Sequence, residues 1–72
     1  MLTIKAVNYD SDGKVTEMQL SSDVVVTAEQ AIAMCRKGML PAYMISHRGD
    51  TEFLKLRNNV INVTPISELT AI

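Results

Sequence analysis

The sequence predicts an α+β fold: a small antiparallel sheet of four to five strands with one helix packed across it, in the order β-β-(β)-α-β-β-(β). Three observations predict it. Runs of alternating apolar and polar residues flank a single segment with a helical apolar period. The runs are separated by clusters of turn residues. No internal repeat, linker or low-complexity segment interrupts the 72 residues. A chain this short forms one domain, residues 1–72, and buries only about 60% of the surface its unfolded form exposes. Its single cysteine, Cys35, and single histidine, His47, provide neither a disulfide nor a zinc site within one chain. Packing or self-association must stabilise it, and 47% hydrophobic residues support either.

The first strand reads from Leu2 to Tyr9, with Leu2, Ile4 and Ala6 on one face and Thr3, Lys5 and Val7 on the other. The cluster Asp10-Ser11-Asp12-Gly13 contains residues that bond their own backbone or accept positive φ, so a hairpin joins this strand to "KVTEMQLS". Met18 and Leu20 share a face there and are expected in the core. A short third strand, "VVVT", follows the polar break Ser21-Ser22-Asp23.

Thr27 is a good N-cap, and Gln30, three residues on, completes a capping box. Ala28, Ala31, Ile32, Cys35 and Met39 make one apolar stripe, while Glu29 near the start and Arg36 and Lys37 near the end suit the macrodipole. Gly38 supplies a left-handed C-terminal residue and Pro41 prevents continuation, so the helix spans about Ala28 to Lys37.

Two strand-like runs follow, Ala42 to His47 and Thr51 to Arg57. The "RGD" between them reads as a turn: Gly49 admits positive φ, and Asp50 can bond backbone amides. Arg48 is expected to face solvent. A further run, "NVINV", provides the optional last strand, and residues 64–72 fit either a short helix with Pro65 in its first turn or an extended tail.

"IKAV" near the start, "DGKVTEM" in a hairpin and "VVVTAEQAIAMCRKG" entering a helix, with two strands after it, together resemble a family of short bacterial and phage proteins that share a domain of unknown function. The resemblance runs from Ile4 to about Leu56. It implies a bacterial or mobile-element genome, and it implies no activity or catalytic residue.

The residues themselves point away from an enzyme. The one nucleophile and base pair is Cys35 with His47, and Cys35 lies on the apolar helix stripe, where a thiol ionises poorly. No ligand spacing matches a zinc or calcium site, and Gly13, Gly38 and Gly49 are isolated, so no phosphate-binding loop is present. No metal or cofactor is expected. No run approaches the roughly 20 apolar residues of a membrane helix, and the start lacks the pattern of a signal peptide, so a cytoplasmic protein is expected.

Charge is split along the chain. Residues 1–30 carry Lys5 and Lys14 against five carboxylates, net −3, whereas residues 31–60 carry Arg36, Lys37, Arg48, Lys55 and Arg57 against Asp50 and Glu52, net +3. The stretch "MLPAYMI" is more apolar than a loop and strand of a small monomer require. The leading expectation is therefore a homodimer or higher homo-oligomer that acts by binding another protein. The alternative is an oligomer that binds an anionic small molecule or a nucleic acid through basic residues within 36–57. Candidate binding residues for the two are Arg36, Lys37, Met39, Tyr43, Arg48, Phe53, Lys55 and Arg57.

Overall fold

The computed structural model describes all residues, Met1–Ile72. Five strands and one helix follow in order: β1 (Ile4–Tyr9), β2 (Val15–Leu20), β3 (Val25–Thr27), α1 (Ala28–Arg36), β4 (Tyr43–Arg48) and β5 (Thr51–Leu56), with a 3₁₀ turn at Ile66–Glu68. The α+β class holds, but the single sheet does not. β1, β2 and β3 form one antiparallel sheet in that order, and β4 and β5 form a separate antiparallel hairpin.

The outer edge of β1 is closed to a further strand. There the Ile4 amide donates to the Tyr43 hydroxyl at 2.9 Å, and the Val7 amide donates to the Thr70 carbonyl at 3.0 Å. A side chain and the C-terminal segment occupy the backbone groups a further strand would need. The run "NVINV" accordingly forms no strand, and the tail resolves into both readings of it: Pro65 precedes one 3₁₀ turn, and extended chain follows.

Both hairpins of the first sheet turn by the same device. The Gly13 amide donates to the Asp10 carbonyl and the Asp10 amide to the Lys14 carbonyl; in the next turn the Asp23 amide donates to the Leu20 carbonyl and the Leu20 amide to the Val24 carbonyl. Gly13 and Asp23 have φ of 79° and 76°. The alternation expected for β1 fails at a bulge between Ile4 and Ala6, where an extra residue opposes β2. The bulge shifts the phase of the strand, so Val7, expected opposite Ile4, joins it in the core. Met18 and Leu20 are buried as expected.

Thr27 and Gln30 form the capping box, with the Gln30 amide donating to Thr27 Oγ1 at 3.1 Å and the Thr27 amide donating to Gln30 Oε1 at 2.9 Å. At the other end Lys37 is the C-cap, Gly38 has φ of 78°, its amide donates to the Cys35 carbonyl, and the Met39 amide donates to the Met34 carbonyl. This is a Schellman closure. The helix packs on strands of both sheets. Ala31, fully buried, sits in the core with Ile4, Val7, Leu20, Tyr43 and Leu54. No helix is long and apolar enough to cross a membrane.

In β4–β5 the Arg48↔Thr51 pair flanks a two-residue turn in which Gly49 has φ of 63°, as a hairpin turn with glycine at its first central position requires. Arg48 is exposed, as expected.

Candidate binding cleft and surface residues

Because the two sheets are not joined, a cleft opens between the tip of the β1–β2 hairpin, the first turns of α1 and the start of β5. Its volume is about 390 Å³, within the range of small-molecule sites. Val15, Met18, Ile32, Leu54 and Ile66 supply apolar lining, with Lys14 and Arg48 among the charged groups around it. A second lobe adjoins it across Lys14, Val15, Ala28 and Ile32 and is lined by the carboxylates of Asp10, Glu29, Asp50 and Glu52.

The eight expected binding residues do not converge. Tyr43 has no exposed surface and accepts the Ile4 amide bond, and burial pushes its phenol above the ordinary value, partly offset by that hydrogen bond. Arg36 pairs with Glu52. That hydrogen bond holds the Glu52 carboxyl below its usual range; partial burial opposes it, and the charges of Arg36 and of His47 across the strand pair reinforce it. Arg57 donates from Nε to the Pro41 carbonyl at 3.1 Å. Met39 is half exposed just beyond the helix closure, and Lys37 is the exposed C-cap.

The remaining three share one surface. The strand register places Arg48, Phe53, Lys55 and the following Arg57 on the hairpin face opposite Tyr43 and Leu54, with Phe53 38% exposed. One aromatic with flanking cations therefore shares this face. Sequence reasoning missed the cleft and its Lys14, since the gap between hairpins depends on two sheets that failed to merge.

Cys35 and His47 are not brought together. The Cys35 thiol donates to the Tyr43 carbonyl at 3.5 Å, and His47 stands four residues further along β4, about 13 Å at strand spacing. No group of three or more His, Cys, Asp or Glu side chains stands close enough to hold a metal ion.

No curated protein and no solved structure matches the chain. A family model does match, over residues 3–65, which takes in every strand, the helix and the segment leading to the 3₁₀ turn. The chain belongs to the family described as protein of unknown function (DUF3892).

Proposed function

We propose that this chain is a non-enzymatic module that self-associates and acts by binding another protein. The observation that carries the reading is the free edge of the first sheet. β3 is its outer strand; Val24 just before it and Val25 at its start are 55% and 45% exposed. Apolar side chains along an unpaired sheet edge favour association with another chain. The edge itself is short, and the Thr27 amide is taken by Gln30, so side-chain burial rather than a long ladder supplies the contact. The stretch around residues 39–45 contributes less than its composition implies, because Leu40, Ala42 and Tyr43 lie in the chain's own core.

Light scattering at micromolar concentration tests the first half of the proposal. Association that is lost in Val25→Lys, with the folded spectrum kept, is the expected result; a monomer at every concentration removes the proposal's main support.

A second reading, an anionic small molecule or nucleic acid bound by the basic residues within 36–57, draws on the face shared by Arg48, Phe53, Lys55 and Arg57. Its test is titration with nucleotides and oligonucleotides at rising salt, where binding through phosphates weakens as salt increases. No binding at low salt ends it.

A further inference from the structure

We propose that the cleft between the hairpins is a binding site for an amphipathic monoanion, a small carboxylate with an aliphatic body. The site is distinct from the β3 edge and does not depend on self-association. Its floor is apolar, with Val15, Met18, Ile32, Leu54 and Ile66 positioned to cover a hydrocarbon body. Around it stand two cations, Lys14 and Arg48, whose side chains make no hydrogen bond or ion pair; Lys5, Arg36 and Arg57 are engaged elsewhere, and Lys37 and Lys55, also free, do not line the cleft. Unpaired ammonium and guanidinium groups beside an apolar pocket complement a carboxylate, which can accept charge-assisted bonds from either.

The carboxylates nearby narrow the ligand further. Glu52 is paired with Arg36, and the Asp10 carboxylate accepts the Asp12 and Lys14 amides within its own turn. Asp12 remains at the cleft, and Glu29 and Asp50 line the adjoining lobe without partners. A polyanion lying along both lobes would meet Glu29 and Asp50. A single anionic head held by Lys14 and Arg48, with its tail in the apolar lobe, avoids them. The charge pattern therefore favours a small amphipathic anion over a phosphodiester chain at this site.

The test is an amide NMR titration of the full chain with decanoate below its micellar range, beside decanol and decyltrimethylammonium at matched concentration. Decanoate should shift Lys14, Val15, Ile32 and Leu54 and bind about tenfold more tightly than decanol, with the ammonium weakest. Lys14→Met with Arg48→Met should bring decanoate down to the affinity of decanol. Ala28→Phe, which crowds the cleft and keeps both cations, should weaken both ligands. Equal affinity for decanoate and decanol, shifts centred elsewhere, or undiminished binding in the double variant would overturn the proposal. Light scattering on the same samples reads self-association separately, so each proposal can fail alone.

Discussion

Asp23 occupies in the second turn the place Gly13 occupies in the first, with the same hydrogen bonds and nearly the same positive φ. A residue with a Cβ is strained there, although aspartate tolerates it better than most. Asp23→Gly should stabilise the fold by about 0.5–1 kcal/mol by urea unfolding, since the Lys5 pair it loses is exposed and worth little. At Gly49 the argument reverses. A Cβ would meet no neighbouring atom, so the cost of Gly49→Val comes from the backbone alone, about 1 kcal/mol or more. Tyr43→Phe should cost about 1–3 kcal/mol in the same assay, because the buried Ile4 amide loses its acceptor. Tyr43 also sets an alkaline limit. Its folded pKa is raised, so the folded state holds the proton more firmly, and this contribution is complete below about pH 10 and is lost as pH rises through the folded value. Glu52 acts in the opposite direction: its folded pKa is lowered, so its contribution is present above about pH 4.5 and is lost as pH falls through the folded value. Glu52→Gln should flatten the acid side of the stability profile and leave the alkaline side unchanged.

At the scale of elements, the helix is held at both ends by local chemistry. The capping box and the Schellman closure satisfy amides and carbonyls that nine helical residues would otherwise leave to solvent. A helix so short is marginal in isolation, so its caps and its packing on both sheets must act together. Thr27→Ala should cost about 0.5–2 kcal/mol, with Thr27→Ser near wild type, as measured by thermal unfolding followed at the helical signal. Both caps were legible in the sequence because they depend on residue type at fixed spacing. The phase of β1 was not: the bulge that brings Val7 beside Ile4 arises from pairing with β2, and strict alternation gives no sign of it.

At the scale of the whole molecule, the C-terminal segment closes the sheet that the helix and second hairpin leave open. Thr70 caps the edge of β1, the Ile72 amide donates to Asn8 Oδ1, and Ile66 and Leu69 pack against the core. Truncation after Thr64 should therefore cost about 2 kcal/mol or more from lost burial, and it should promote aggregation by exposing the β1 edge. Urea unfolding and light scattering check the two effects. A truncated chain as stable and as soluble as the full one would show that the tail is dispensable to the sheet.

Period, spacing and the φ a residue allows were enough to read from the residues the class of fold, the helix and its caps, the hairpin turns at Gly13 and Gly49 and the exposed Arg48, whereas the hairpin turn at Asp23 was legible only as a polar break. The sequence also named Phe53, Lys55 and Arg57 as binding candidates, and strand alternation in β5 sets them on one face. The number of sheets emerged only in the folded chain, and the cleft follows from it. Tyr43 shows why: as a residue in an apolar run it could cover a partner or fill a core, and its fate depended on a hydroxyl reaching an amide 39 residues away. The same contact, with Thr70 on Val7, takes backbone groups that a further strand on β1 would need. Long-range hydrogen bonds of this kind leave no local pattern, and they separate the hairpins between which Lys14 and Arg48 meet an apolar floor.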